Sequence, residues 1–240
     1  MNSFKRNSFV LCALLMGALI WLAGCATTGT KLATKTTNTM QTVETDYRQA
    51  ALQIDATRAS LEDLMNPGQT DMQTAFKAYT RNVEKMESIG KQLDNHSQKM
   101  TARGNDYFAE WEKQGSTYTN PQIRELSEQR RMELRDVYLK VPEASIGVRG
   151  NMNAYLADIR DIQKYLSNDL TPQGVQAIKP IAERAVKDGE NLRESVRPVL
   201  AAIERAKTEM AQGGMSTGSG AAAGGEGNGT DKKMEETTNP

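Results

Sequence analysis

Residues 72–111 read MQTAFKAYTRNVEKMESIGKQLDNHSQKMTARGNDYFAEW, and one row of positions within them alternates steps of four and three without a break. The row is Met72, Phe76, Tyr79, Val83, Met86, Gly90, Leu93, Ser97, Met100, Gly104, Tyr107 and Trp111. An α-helix turns once in about 3.6 residues, so this spacing lays every member on a single stripe. A strand would need alternation by twos, which is absent. Held over such a length, a seven-residue repeat keeps the stripe against a partner helix, as in coiled coils. The stretch therefore predicts a long helix that packs along its whole side.

The same pattern recurs on both flanks. Upstream, Met40, Val43, Tyr47, Ala50, Ile54, Thr57, Leu61 and Leu64 form a first seam that stops at Asn66-Pro67-Gly68, a strong turn signal. Thr70 with Gln73 then offers a capping box for the helix quoted above, and Gly115 offers its C-cap. Downstream, Asn120-Pro121 opens a third segment as N-cap followed by proline at the first helical position. Its seam is Leu134, Val137, Val141, Ala144, Val148, Asn151, Tyr155, Ile159, Ile162 and Leu166. Thr171-Pro172 opens the fourth, with Val175, Ile178, Ala182, Ala185, Gly189, Leu192, Val196, Val199, Ile203, Ala206 and Met210.

These runs predict an all-α fold: an elongated antiparallel bundle of about four long, coiled-coil-like helices, each roughly 60–70 Å long at 1.5 Å per residue. A two- or three-helix coil completed by dimerisation is the alternative, which keeps a homo-oligomer open. Pro142, Pro180 and Pro198 fall inside the runs, and an interior proline costs about 3 kcal/mol and kinks or breaks a helix. The seams continue through all three sites, which predicts kinks more than loops. Division of the third run near Val141-Pro142, and a fourth helix starting near Pro180, stay open.

In the second run one half of the seam is bulky, while the other carries Gly90, Ser97 and Gly104 at intervals of seven. Small residues so placed admit a neighbouring backbone or its large side chains. Tight packing is the plainer reading, and a groove for a partner helix or an acyl chain is the functional one.

The amino terminus has a different character. Met1-Asn2-Ser3-Phe4-Lys5-Arg6 is basic and acid-free, and an apolar run from Phe9 to Leu22 follows. That run is shorter than the ~20 apolar residues of a spanning helix, which suits a secretory leader. It closes on Leu22-Ala23-Gly24-Cys25, which resembles the lipobox of bacterial lipoproteins. The resemblance implies signal-peptidase recognition through Leu22, Ala23 and Gly24, cleavage before Cys25, and acylation of Cys25. The small residues give a peptidase access, and the thiol can carry a thioether-linked diacylglycerol. Stable anchoring needs more than one acyl chain, at about 0.8 kcal/mol per buried methylene. The resemblance further implies that Ala26, in place of an aspartate after the cysteine, directs the chain to the periplasmic face of the outer membrane.

The organisation expected is a removed signal peptide over 1–24, a lipidated polar tether over 25–38, a helical bundle over 39–212, and a Gly/Ala/Ser-rich tail over 213–240. The tail lacks the apolar surface that would repay ordering, and is expected to be disordered. Lys and Arg total 30 and Asp and Glu total 30, so loss of Lys5 and Arg6 leaves 28 against 30. A nucleic-acid binder would show a marked basic excess. Of two cysteines, Cys12 leaves with the leader and Cys25 takes lipid, which excludes a disulfide or a cysteine metal site in the mature chain.

Reactive constellations are sparse. His96 is the single histidine, next to the seam, without the second histidine or cysteine a metal site would use. No Gly-x-Ser-x-Gly elbow and no phosphate-cradling loop occur. The carboxylate pairs Glu110/Glu112 and Glu125/Glu128 suit a solvated helix face. Arg124, Arg130, Arg131, Arg135 and Lys140 are interleaved with Glu125, Glu128, Glu133 and Asp136, which predicts intrahelical ion pairs; a patch for anionic lipid or cell-wall polymer is the alternative. Arg130 and Asn151, at or near the third seam, are expected to set register. No catalytic residue, metal ligand or cofactor is assigned.

From Tyr107 to about Ile178 the chain carries Phe108-Ala-Glu-Trp111-Glu112, then Tyr118-Thr-Asn120-Pro-Gln-Ile123-Arg124-Glu-Leu-Ser127, then Asp161-Ile-Gln-Lys-Tyr165-Leu166-Ser-Asn168-Asp-Leu170. This stretch resembles a bacterial domain-of-unknown-function family of helical envelope lipoproteins, and departs from it at Ser167-Asn168-Asp169-Leu170-Thr171. The resemblance implies a helical envelope lipoprotein and no activity. Together these readings predict a non-enzymatic, membrane-tethered scaffold or interaction module, held to the bilayer through Cys25 and meeting an envelope protein. A lipoprotein that binds lipid or another apolar ligand between its helices is the alternative.

Overall fold

In the computed structural model, which describes residues 24–66 and 68–215, four helices follow one another: α1 (Gly24–Leu64), α2 (Met72–Gly115), α3 (Pro121–Asn168) and α4 (Pro172–Met215). Each helix packs on its chain neighbours, and α1 also packs on α4, which closes an up-down-up-down bundle. The chain alone completes the four-helix bundle. At 41 to 48 residues each, the helices run about 62–72 Å at 1.5 Å per residue. Leu22 and Ala23, with the rest of the leader, and residues 216–240 of the tail lie outside the described residues.

The first and fourth seams are buried along their length, from Met40 to Leu64 and from Ile178 to Met210. The second drifts at its ends, where Ala75 and Phe108 are buried while Phe76, Tyr107 and Trp111 are half-buried against the core. In the third seam the buried positions are Tyr138, Ser145 and Met152, each one residue beyond the expected Val137, Ala144 and Asn151. Leu134, Val141, Val148 and Tyr155 stay buried as expected, so the repeat is kept and its steps run four then three in place of three then four, both of which lie on one helical face. Asn151 is consequently exposed, and Arg131, not Arg130, is the buried arginine of this helix.

Helix ends follow local hydrogen bonding. Asn66 makes the α1–α2 turn by accepting from Gly68 N at 2.9 Å. The cap of α2 is Asp71, whose carboxylate accepts from Thr74 N at 3.0 Å, in place of the expected Thr70 box. Gly115 is the last residue of α2, and Ser116 follows in a right-handed helical conformation, so no left-handed glycine cap forms. Asn120 caps α3 by accepting from Gln122 N at 2.9 Å, with Pro121 in the first turn. Thr171 caps α4 through Gly174 N at 3.0 Å.

One expectation about continuity is revised and another is met. Helix α1 begins at Gly24 and runs through 25–38, so the threonine-rich stretch is helix in place of a tether. Thr36 is fully buried, its hydroxyl donating to Arg103 O of α2 at 3.2 Å, and Ala33 packs on the core. Helices α3 and α4 also run unbroken through their prolines, and α4 starts at Pro172, not Pro180. Pro180 and Pro198 are exposed. The carbonyls they leave without an N–H belong to Gln176 and Glu194, both exposed residues that water can reach.

Candidate interaction surface

The helix pairs are fastened by different chemistry. Between α1 and α4, Glu44 is buried and accepts from Lys207 Nζ at 2.7 Å and from Arg48 Nη2 at 2.7 Å. The Lys207 hydrogen bond holds the Glu44 carboxyl below its ordinary range, against the opposing effect of burial, and Glu44 in turn raises Lys207. Between α1 and α2, buried Asp46 receives Gln92 Nε2 at 2.9 Å and faces His96 Nδ1 at 2.6 Å. His96, beside the α2 seam, is therefore paired, with a carboxylate the α1 seam gave no reason to place inside. Buried Gln53 donates to Asn82 of α2, at 3.2 Å to its carbonyl and 3.1 Å to its side chain.

Contact between α2 and α3 is looser, and pinned at intervals. The Tyr79 hydroxyl donates to Ile159 O at 2.7 Å, and the Tyr138 hydroxyl donates back to Met100 O at 2.5 Å. A third pin joins Trp111 Nε1 to Ser127 Oγ at 3.0 Å. Burial pushes both tyrosines well above the ordinary phenol range, so they stay neutral donors. Gly104 lies directly beneath the Tyr138 ring, where any Cβ would collide with it. Tight packing is thus the right reading for Gly104.

Between the two tyrosine pins the helices part. Two adjoining hollows of about 490 and 520 Å³ share Ser97, Gln98 and Arg149. Tyr47 reaches from α1 to the floor of the first, which Gly90 and Leu156 also line. Ser97 is buried at the edge of both hollows, and Leu156 sits 3.0 Å from where a Cβ on Gly90 would be, so close packing extends to this pair as well. Ion pairs Arg149–Asp94 at 3.2 Å and Arg160–Glu87 at 2.6 Å cross the hollow, so its charges are largely matched internally.

Outside, α3 carries a stripe the sequence reading passed over. Met132, Leu139 and Ile146 stand seven residues apart on one face and are 50%, 40% and 73% exposed. Ile146 also lines the second hollow, so the stripe runs to the edge of the groove. The signal was present as a second heptad, masked by the stronger buried one. Of the basic cluster on this helix, Arg131 pairs with Glu112 and Glu128, Arg130 with Glu133 and Glu209, and Lys140 with Glu143. Among the described residues no group of three or more His, Cys, Asp or Glu side chains is placed to hold a metal. None of the described helices is long and apolar enough to cross a membrane.

A family model described as "Protein of unknown function (DUF2959)" matches residues 30–212, which is nearly the whole bundle. The chain belongs to the DUF2959 family. No curated protein and no solved structure matches it. The DUF2959 match extends well beyond the 107–178 stretch and takes in all four helices, so the groove, the stripe and the buried polar pins all lie within the family's domain. Gly24 and Cys25 form the first turn of α1, just ahead of the matched span.

Proposed function

We propose that this DUF2959 chain is a lipid-anchored envelope lipoprotein whose helical rod acts as a non-enzymatic scaffold or protein-interaction module in the periplasm. The observation that carries the interaction reading is the exposed Met132-Leu139-Ile146 stripe running to the edge of the α2–α3 groove. Apolar side chains at seven-residue spacing on an open helix face suit a partner helix laid alongside. The anchor reading is supported by Leu22-Ala23-Gly24-Cys25 and by the absence of a spanning helix among the described residues.

Photocrosslinking in cells from Leu139 and Ile146, with Leu52 (72% exposed on α1) as control, tests the interaction reading. Discrete protein adducts from α3 and none from Leu52 are expected; free monomer from every position overturns it. A second reading, an apolar ligand held in the groove, is favoured by the hollow beside Gly90 and Leu156. Native mass spectrometry of the purified chain separates the two, since a stoichiometric co-purified lipid beyond the anchor would favour the ligand reading.

A further inference from the structure

Four unpaired cations gather where α1 begins and where α2 turns into α3. They are Lys31, Lys35, Lys113 and Arg124, beside carboxylates of the same end, of which Glu112 and Glu128 are taken up by Arg131 and Glu209 by Arg130. The four cations are exposed, and among the described residues none of them forms an ion pair. Arg124 instead donates to the Tyr118 carbonyl at 2.7 Å, which braces the α2–α3 loop.

The same end presents apolar side chains to solvent: Tyr118 at 40%, Ile123 at 49% and Leu126 at 67% exposure. Trp111, pinned to Ser127, stands just behind them. Aromatic and aliphatic groups rimmed by cations match the boundary between lipid headgroups and acyl chains.

Position completes the argument. A Cβ on Gly29 would lie 3.8 Å from Gln114 Oε1, so the start of α1 abuts the end of α2. Cys25 is one turn further out, about 6 Å at 1.5 Å per residue, level with the α2–α3 loop. Because 25–38 is helix, no slack separates the acylated residue from the bundle. Acyl chains on Cys25 bring this end of the rod against the bilayer.

We propose that the α2–α3 end docks on an anionic phospholipid surface, with Tyr118, Ile123 and Leu126 at headgroup depth and Lys31, Lys35, Lys113 and Arg124 against lipid phosphates. The proposal rests on the lipoprotein reading of Cys25, and one experiment reads the two separately. In cells, a photoreactive diazirine residue replaces Leu126, or Leu139 as mid-rod control, in the full chain, with labelled palmitate supplied in the same culture. Phospholipid adducts at position 126 are expected well above those at 139, and Lys113→Glu with Arg124→Glu should lower them about five-fold per cation reversed. An acylated chain whose position 126 captures no more lipid than 139 overturns docking and leaves the anchor standing. A chain without palmitate overturns the anchor; adducts at 126 would then uphold docking as independent of it, and their absence would overturn both. The 126-against-139 comparison needs neither charge variant, so a misfolded double variant does not decide the outcome.

Discussion

A phenol hydroxyl buried between two helices contributes only when it finds an acceptor, and this core contains both cases. Tyr79 donates to Ile159 O, whereas the buried Tyr155 hydroxyl has no partner. Tyr79→Phe should therefore lower stability by about 1 kcal/mol, while Tyr155→Phe should leave it nearly unchanged or raise it slightly. Thermal unfolding of the two variants side by side checks this, and equal losses would contradict the hydrogen-bond assignment. Glu44 gives a pH signature. Its carboxyl is held below the ordinary value of 4.5, chiefly by Lys207. A depressed folded value means the contribution is full above 4.5 and is lost as pH falls below it. The wild-type melting temperature should accordingly drop more steeply in acid than that of Glu44→Gln, and parallel curves would contradict the assignment.

For the helices, the prolines make the sharpest prediction. Pro180 and Pro198 are exposed within α4, so replacing either by alanine restores a backbone donor and removes little packing. Each change should raise stability, by up to about 3 kcal/mol; a loss in denaturant titration would mean that the proline ring packs on something essential. The helices were legible in the sequence because apolar spacing reports one face per element. Their number, order and antiparallel sense followed from four seams and three short turns. Periodicity is silent on what polar residues do beside the seam. Asp46 and Glu44 flank Tyr47 and Val43, and nothing local marks them as buried; only partners on α2 and α4 make burial tolerable. The start of α1 was missed for a related reason. A run of threonines has low helix propensity, and contacts such as Thr36 to Arg103 O override it. The Met132-Leu139-Ile146 stripe was visible in principle, as a second heptad offset from the first.

Across the whole molecule, the proposed anchor at Cys25 would set one arrangement, with the α2–α3 end on the lipid and the α1–α2 and α3–α4 loops at the far end. Cys25→Ala should abolish palmitate labelling and release the chain from the membrane fraction. Continued labelling, with fractionation unchanged, would refute the anchor. The tyrosine pins add a mechanical consequence. Tyr79 and Tyr138 clasp α2 and α3 from opposite directions at two heights, both in one antiparallel register. Sliding one helix past the other by a turn, about 5.4 Å, would sever both clasps together. Parting the helices midway between them strains neither clasp and is opposed by the exposed Arg149–Asp94 and Arg160–Glu87 ion pairs. The rod is therefore stiff to shear along its length and compliant only sideways at the α2–α3 hollow, like a strut with a single slot. A load along the axis would thus be carried by both clasps at once, while separation at the slot beside Ile146 would open the rod from the side.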